Sequence, residues 1–292
     1  MRTLAIIESQ IQTAETLSSI VGTMRTLAMV NIRRFEHATG NLREYARTIR
    51  LALHVATAQL PPGQWERTRL SPEGPGLAVL VGSDQGLCGQ FNDRMLDHAR
   101  PAWSSPGWCP VVVGTRLAGM LETAGASPLA VLDAPVSVEA ITSQARRLLQ
   151  IVEEQREQGH CGRLRVMFHR HLGSVRYRET TLDLLPFSPR QFRHLPTGEP
   201  PFRTLPQYGS EPSQLLADLL PQYFLSELAL ALAESAASES AARLTAMEGA
   251  SRTIEQHLEE LMNQYRQQRQ EEITAELADV LAGVEAVQPQ GE

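Results

Sequence analysis

The sequence contains no lysine, and all 27 of its basic residues are arginine. This absence excludes mechanisms that need a lysine amine, such as a P-loop lysine, a Schiff base or a lysine general base. Cysteine is scarce as well. Cys88, Cys109 and Cys161 are an odd number at wide spacing, which argues against a disulfide framework or a zinc cluster and fits a reducing cytosol.

The chain also lacks an excess of positive charge and a long apolar run. A net charge of -6 gives no general reason to expect nucleic acid as a partner. No apolar run approaches the roughly 18 residues needed to span a bilayer, and the N-terminal stretch reaches an acid at Glu8 without a signal-type apolar core. The composition, with 42% hydrophobic and 21% charged residues, predicts an ordinary globular protein that stays in the compartment where it is made.

The first 58 residues have the pattern of one long helix. Proline is absent between Leu4 and Ala56, and apolar or small residues recur at steps of three and four, as in the a/d seam of a coiled coil. The predicted seam positions are Leu4, Ile7, Ile11, Ala14, Leu17, Val21, Met24, Ala28, Ile32, Phe35, Ala38, Leu42, Tyr45, Ile49, Leu53 and Ala56.

The end of the chain repeats this pattern over a greater length. Ser213 is the predicted N-cap, and Pro221 either kinks the helix or marks its true start. The predicted seam positions are Leu230, Ala233, Ala237, Ala241, Leu244, Met247, Ala250, Ile254, Leu258, Leu261, Tyr265, Ile273, Leu277 and Val280. Seven arginines against four acids up to Ala58, and four arginines against fourteen acids from Ser213 onward, favour pairing of the two helices.

The middle of the chain has a different pattern. Apolar runs starting at Gly76 and Cys109 predict buried strands, each followed by a helix, and an amphipathic helix over 136–159 precedes two more strands that form a hairpin turning at Gly173-Ser174. Strands that alternate with helices predict an α/β layer domain with a largely parallel sheet.

We therefore predict three segments: an N-terminal coiled-coil helix over 1–58, an α/β domain over 59–212 and a C-terminal coiled-coil helix over 213–292. The proline-rich stretch between Pro186 and Pro212 is predicted to be an exposed connection that ends the middle segment.

A glycine-rich loop, "VGSDQGLCGQFND" over 81–93, follows the first strand and precedes a helix, which is the setting of a phosphate-binding loop. It lacks the Lys-Ser/Thr ending and the Gly-x-Gly-x-x-Gly spacing. Ser83 has no glycine two residues before it, and Cys88 would need His98 as a base. In the structural alternative, Gly86 and Gly89 permit tight backbone and Cys88 is a small buried apolar side chain.

Two further groups of residues are candidate sites. His169 and His171 share one face of a strand and could ligate a metal, but no third ligand is nearby, so a solvated strand face is the preferred prediction. The arginine-rich run over 163–178 could contact phosphates, although strand-edge arginines near the acidic helix explain it equally well. From the residues we predict no catalytic, cofactor or metal site.

Several motifs resemble one family, the gamma subunit of F-type ATP synthases. The loop is close to that family's Ser-Asp-Arg-Gly-Leu-Cys-Gly signature, and "ESAASESAARLTAMEGAS" and "YRQQRQEEITAELADVLAGVEA" resemble its C-terminal pattern. "IVGTMRTLAMVNIRR" is similar to its N-terminal helix. The similarity covers essentially the whole chain in the right order.

The resemblance implies a fold, a function and partners. The fold is a Rossmann-like α/β domain that binds no nucleotide, plus a long antiparallel two-helix coiled coil formed by the N- and C-terminal helices. The function is that of a rotor that couples ion-driven rotation of a membrane ring to conformational change at nucleotide sites on other subunits. The implied partners are the alpha and beta subunits, an epsilon-type small subunit and the c-subunit ring of a proton- or sodium-translocating ATPase, at the cytoplasmic face of the bacterial inner membrane.

The resemblance also implies a contact site. Arg269, Gln270 and Thr274 occupy positions that in the family meet the catch loop of a beta subunit, and Met24 matches a family position expected at the same level of the shaft. Gln85 stands where the family usually has arginine, and the usual lysines of the N-terminal helix are missing. These departures would suit a subunit of an alternative, second bacterial F-type ATPase.

Two other functions remain open at this point. One is an α/β enzyme that carries a coiled-coil docking arm, which would bind a nucleotide as an isolated chain. The other is a scaffold that never rotates, whose complex would keep its activity after the chain is crosslinked to the hexamer.

Overall fold

A computed structural model describes residues 4–58, 74–187 and 211–287, together with Phe192 and Gly209. The predicted connection between Pro186 and Pro212 lies for the most part outside these residues. The elements in chain order are α1 (Leu4–Ala58), β1 (Gly76–Val81), α2 (Phe91–Trp103), β2 (Trp108–Val113), α3 (Thr115–Thr123), β3 (Ala130–Leu132), α4 (Val138–Glu157), β4 (Arg163–His171), β5 (Tyr177–Leu185) and α5 (Pro212–Val287).

Grouped by packing, the chain has two compact units. One consists of Met1–Leu27 and Ala246–Glu292, and the other of Ala28–Thr245. We call them the terminal unit and the α/β unit. The division into 1–58, 59–212 and 213–292 stays a prediction.

The α/β unit contains a five-stranded sheet in the order β3-β2-β1-β4-β5. The first four strands in this order are parallel to their neighbours, and β5 pairs antiparallel with β4. The β4–β5 hairpin turns at Gly173 and Ser174, both with positive φ, as predicted. Strand β3 was not predicted, because its three residues are too few to show a periodic pattern.

Helices cover both faces of the sheet. Helices α2 and α3 bury one face through Met95 and Leu121, which pack with Leu80 and Val112. The other face packs against α4 and against parts of α1 and α5; Leu53 and Leu232 belong to that core. The result is a three-layer α/β arrangement with a largely parallel sheet, as predicted.

Within the α/β unit, α5 is buried on every side over residues 226–238. Its side chains there meet the sheet, α4 and α1, so this stretch is a central core helix and not a half-exposed partner of one other helix. Further along, Ala28 and Ile32 of α1 pack against Ala241 and Leu244 of α5.

In the terminal unit, α1 and α5 form an antiparallel pair. Ile7 and Ala14 are buried against Leu261, and the Tyr265 hydroxyl donates to Glu8 Oε1 at 2.8 Å. The predicted coiled-coil pairing of the N- and C-terminal helices is therefore confirmed in each unit.

The seams differ from the prediction at several positions. Leu17 and Tyr45 are exposed, at 48% and 43%, whereas Ala46, which was not predicted, is fully buried. A strict step pattern drifts away from the contact face because an α-helix has 3.6 residues per turn. Ile273, Leu277 and Val280 are also exposed, so the predicted seam does not continue there.

The start of α5 also differs. The helix begins at Pro212, so Ser213 is not its N-cap; proline favours the first helical position, where its missing N–H is not needed. Pro221 lies inside the helix and does not mark its start.

The hydropathy of α5 bears on the expectation that no apolar run is long enough to span a bilayer. An 18-residue window between Pro212 and Leu281 is apolar enough on average to cross a membrane, although 56% of that window is buried inside the fold. The mean hydropathy of this window is high although the window is not one uninterrupted run of apolar residues. Burial in the core accounts for this composition.

Candidate functional site

The glycine-rich loop is organised around Asp84. One of its carboxylate oxygens, Oδ1, accepts hydrogen bonds from the backbone N–H of Thr115 at 2.9 Å and from its hydroxyl at 3.3 Å. The other, Oδ2, accepts from the backbone N–H of Ala134 at 3.0 Å. Asp84 therefore satisfies a free donor at the N-terminus of α3 and ties the segment after β3 to the same point.

Ser83 is held in a closed hydrogen-bond set and is fully buried. Its N–H donates to Asn92 Oδ1 at 3.0 Å, Asn92 Nδ2 donates to the Ser83 hydroxyl at 2.8 Å, and that hydroxyl donates to the carbonyl of Gln85 at 2.8 Å. The remaining neighbour of the hydroxyl is the Cys88 sulfur at 3.6 Å, and burial raises the pKa of that thiol, so the described residues supply no base to Ser83.

Cys88 is a buried apolar side chain, as the structural alternative predicted. It packs with Phe91 of α2 and Ala242 of α5 and is 2% exposed. Burial raises the pKa of its thiol, which opposes formation of the reactive thiolate. His98 bonds instead to the Thr181 hydroxyl at 2.9 Å and is not its base.

The glycines of the loop differ in what they do. Gly89 has a φ of +57°, in the left-handed region. Gly86 does not have a positive φ, and the three atoms nearest to an added Cβ all belong to the Arg116 side chain, at 3.5 Å or more; the prediction that Gly86 permits tight backbone was wrong. Close packing is required at Gly82, where a Cβ would lie 2.5 Å from Leu117.

His169 was predicted on a solvated strand face, and that prediction was wrong. It is 0% exposed, its ring stacks on Phe91 with centroids 4.1 Å apart, and Tyr177 packs edge-on at 5.3 Å. Burial lowers the pKa of His169 to about 3, against the opposing effect of Glu179. Neither ring nitrogen has a hydrogen-bond partner among the described residues.

His171 is also not solvated, because its Nε2 bonds to Glu36 Oε1 of α1 at 2.8 Å. The described residues contain no group of three or more histidine, cysteine, aspartate or glutamate side chains that could hold a metal. The sequence missed these burials because alternation gives the face of a strand but not what covers that face.

Three arginines of the arginine-rich run have partners inside the protein. Arg165 forms a two-point contact with Asp183, at 2.6 and 3.3 Å, and Arg170 lies 3.4 Å from Glu234 of α5. Arg163 lies over the Trp108 ring at 4.7 Å. The contact of Arg170 with the acidic helix is the arrangement that the structural alternative predicted.

The usual ligand position of such a sheet is therefore occupied by the chain itself. In open α/β sheets, ligands bind beyond the carboxyl ends of the strands where the strand order reverses, here between β1 and β4. At this point the loop after β1 packs against Ala242, and Arg243 Nη2 donates to the carbonyl of Gly86 at 3.5 Å. Phe91, His169 and Tyr177, here called the aromatic cluster, pack together beside this contact with α5.

The residues carried over as a contact site lie in the terminal unit. Arg269, Gln270 and Thr274 are all exposed on α5. The Thr274 hydroxyl donates to the backbone carbonyl of Gln270 at 2.7 Å, and residues 270 and 274, four apart, share one face of the helix. Nothing in the described residues covers these three side chains.

Met24 does not lie at the level of this group. The helices run antiparallel with Glu8 against Tyr265, so Met24 on α1 faces about residue 249 of α5. That position is about 20 residues, or roughly 30 Å, from Gln270 along the helix. The expectation of a shared level was wrong, because it used the family's positions without the register of the two helices.

The fold and these sites define a class of protein: a helix pair joined to an α/β layer domain whose ligand crevice is closed by its own C-terminal helix. A family model described as "ATP synthase" matches residues 3–287. The ATP synthase gamma chain of Syntrophobacter fumaroxidans is 29% identical, over 98% of this chain and 99% of its own length. That of Synechocystis is 27% identical, over 98% and 100%.

Solved structures show the same fold. A chain in the rotor of the Euglena gracilis mitochondrial ATP synthase superposes with a TM-score of 0.64 at 17% identity, over 92% of this chain and 98% of that one. A chain from the central stalk and c-ring of the Tetrahymena thermophila enzyme gives 0.57 at 18% identity, over 80% and 99%.

The chain belongs to the ATP synthase gamma-chain family. A gamma chain is a subunit of the synthase complex and is not itself catalytic. The resemblance inferred from the glycine-rich loop and the C-terminal motifs is confirmed.

Proposed function

We propose that the chain is the central-stalk rotor that couples ion-driven rotation of a membrane ring to conformational change at nucleotide sites on an alpha/beta hexamer. The observation that carries this proposal is the match to gamma chains over nearly the full length of both partners. A coupling role needs no catalytic group of its own, and the crevice filled by α5 is consistent with that.

The exposed end of α5 supports contact with a surrounding subunit. Ile273, Leu277, Val280 and Leu281 are between 50% and 66% exposed, and Ile273, Leu277 and Val280 follow a spacing that places them on one side of the helix. Arg269 and Gln270 lie beside this apolar stripe, and an arginine there can form a paired, charge-assisted contact with a carboxylate. We assign this end to the hexamer, where Arg269, Gln270 and Thr274 would meet a catch loop.

The other partners follow from the same proposal. An epsilon-type small subunit and the c-subunit ring would complete the rotor, and the chain would lie on the cytoplasmic face of the bacterial inner membrane as a peripheral subunit. Copurification of this chain with alpha and beta subunits is the direct test of its place in the complex. Purification of the chain without either subunit would overturn it.

The enzyme alternative makes a different prediction for the isolated chain. It requires a ligand in the crevice between β1 and β4, where the loop, α5 and the aromatic cluster are packed. We expect neither ATP binding nor ATP hydrolysis by the isolated chain, measured by calorimetric titration and phosphate release. One tight nucleotide site would favour the enzyme with a docking arm.

Crosslinking separates a rotor from a scaffold. A covalent link between this chain and its hexamer would stop turnover if the chain must rotate, whereas a scaffold would leave the ATPase rate unchanged. Reduction of the link should restore the rate.

The contact site is tested by Arg269→Ala with Gln270→Ala in the assembled complex. Contacts made and broken in each catalytic step change turnover more than folding, so we expect the ATPase rate to fall several-fold while assembly and melting temperature stay near wild type. The matched control is Arg252→Ala with Gln256→Ala, the same residue types, also exposed on α5. If the complex that carries Arg269→Ala with Gln270→Ala hydrolyses ATP at the wild-type rate, the catch role is wrong for this chain.

A further inference from the structure

Two carboxylates lie inside the fully buried stretch of α5. Glu227 and Glu234 are each 3% exposed, although charged side chains are almost never this buried without a partner. Arg50 Nε of α1 donates to Glu227 Oε1 at 2.8 Å, and Arg43 Nη2 donates to Glu234 Oε1 at 3.0 Å. Each buried acid of α5 is therefore neutralised by an arginine of α1.

The two pairs repeat at one spacing. Arg43 and Arg50 are one heptad apart on α1, and Glu227 and Glu234 are one heptad apart on α5. Because the helices run antiparallel, both pairs correspond to a single register of the two helices. We call these four residues the ion-pair ladder.

A third arginine connects the ladder to the sheet. Arg170, near the end of β4, places its Nε 3.4 Å from Glu234 Oε2. The Glu234 carboxylate of α5 thus lies close to one arginine of α1 and one arginine of β4.

The alanines of the seam beside the ladder discriminate poorly between registers. Ala233, Ala237 and Ala241 are fully buried, and a row of alanines has almost the same shape after a shift along the helix. A shift by one heptad, about 10 Å, would move one glutamate out of reach of both arginines. That glutamate would be a buried charge without a partner, which is strongly destabilising.

The pairs have little value as a source of stability. Burial raises the pKa of Glu227 even though Arg50 opposes this rise, and for buried ion pairs in general the cost of removing the charges from water can exceed the gain from pairing. Buried ion pairs of this kind are best attested as determinants of register.

We propose that the ion-pair ladder fixes the register of α1 against α5, and that Arg170 ties β4 to the same point, so that the helix pair and the sheet move as one body within residues 28–245. The consequence for torque rests on the proposed rotor function. If the two helices of a rotor slid past each other, part of the rotation applied at one end would not reach the other end.

The register is measured on the isolated full-length chain, independently of any complex. Nitroxide labels are placed at Thr48→Cys and Thr245→Cys, both exposed, in a Cys109→Ser background, and the distance between them is measured by pulsed electron resonance. The intact ladder should give one narrow distance. Glu227→Gln with Glu234→Gln should add a second population displaced by about 10 Å, the length of one heptad.

The single variant Glu227→Gln is a milder test if the double variant does not fold. It leaves Glu234 as the one carboxylate of the ladder. Glu234 can pair with Arg43 in the native register or with Arg50 in the shifted register. It should therefore also show the second population.

The matched control is Glu248→Gln with Glu255→Gln, two exposed acids of α5 that are also one heptad apart. It should keep the single narrow distance. A narrow, unshifted distance in folded Glu227→Gln would overturn the proposal. A chain that fails to copurify with alpha and beta subunits would instead contradict the rotor function and leave the distance result as it stands.

Discussion

Two stretches of the same helix differ completely in their surroundings. Residues 226–238 of α5 are all buried, whereas residues 271–281 are all exposed. Both contain large apolar side chains: Leu228 and Leu232 are 1% exposed in the first stretch, and Leu277 and Val280 are 58% and 66% exposed in the second. Composition alone therefore does not decide which stretch belongs to the core.

The difference separates the part of the helix that builds the fold from the part that is left for a partner. The buried stretch is enclosed by the sheet, α4 and α1, so a change there acts on folding. Large apolar groups grouped on an exposed face mark an interaction surface. We expect changes in the second stretch to act on assembly and turnover.

The largest effect should come from larger side chains in the buried stretch of α5 and in the turn that follows it. Ala237 and Ala241 are 0% exposed, so leucine at each position should overpack the core at a cost of about 1 to 3 kcal/mol per site. Thermal or urea unfolding of Ala237→Leu with Ala241→Leu measures it. Ala275→Leu with Ala278→Leu, exposed on the same helix, should unfold like wild type. Equal stability of the two double variants would remove the distinction between the stretches.

A second effect should appear in the pH dependence of stability. The Ser238 hydroxyl of the buried stretch donates to the His169 carbonyl at 3.1 Å, and the ring of His169 has its pKa lowered to about 3. Between that value and the ordinary pKa of about 6.5, the unfolded chain binds a proton that the folded chain does not. Stability therefore falls as pH falls, by about 2 kcal/mol at pH 5 for this group.

His169→Gln should reduce this pH dependence between pH 7.5 and pH 5, measured by urea unfolding at both values. His160→Gln, at an exposed histidine, is the control and should retain the wild-type dependence. An unchanged slope in His169→Gln would mean that the imidazole is not buried in the neutral form.

The smallest effect on stability should come from the exposed stretch. Leu277→Asp should change the free energy of unfolding of the isolated chain by less than about 0.5 kcal/mol, as for other exposed positions. In the assembled complex the same variant should lower the ATPase rate or the yield of complex, because it places a charge in the stripe assigned to the hexamer. Loss of stability in the isolated chain would show that this stretch is part of the core.

The two stretches also show how far the sequence could predict the structure. The alternation of strands and helices and the two long helices were predicted, because hydrophobic periodicity over many residues is a strong signal. The seam was predicted to continue to Val280, since a helix keeps its apolar period whether or not the partner helix reaches that far. The exposure of Ile273 and Leu277 depends on which other residues pack against this part of α5, which the pattern of α5 does not contain.

Prediction of the candidate sites from the sequence was limited because their surroundings depend on long-range contacts. The absence of a phosphate-loop pattern around Ser83 could be seen from spacing alone. The burial of His169 could not, because Phe91 and Tyr177 that enclose it come from an earlier helix and a later strand. The level of Met24 required the register of two helices more than 200 residues apart in the chain, which is set by contacts such as that of Glu8 with Tyr265.

Asp84 has a consequence for how the α/β unit responds to its surroundings. A phosphate-binding loop is organised by an anion that arrives from solution and leaves again, so its order depends on the concentration of that anion. Here the anion is a side chain of the loop itself, bonded to Thr115 and Ala134. A tethered group has an effective concentration that dilution does not change. The loop should therefore stay equally ordered when cellular ATP is high and when it is exhausted.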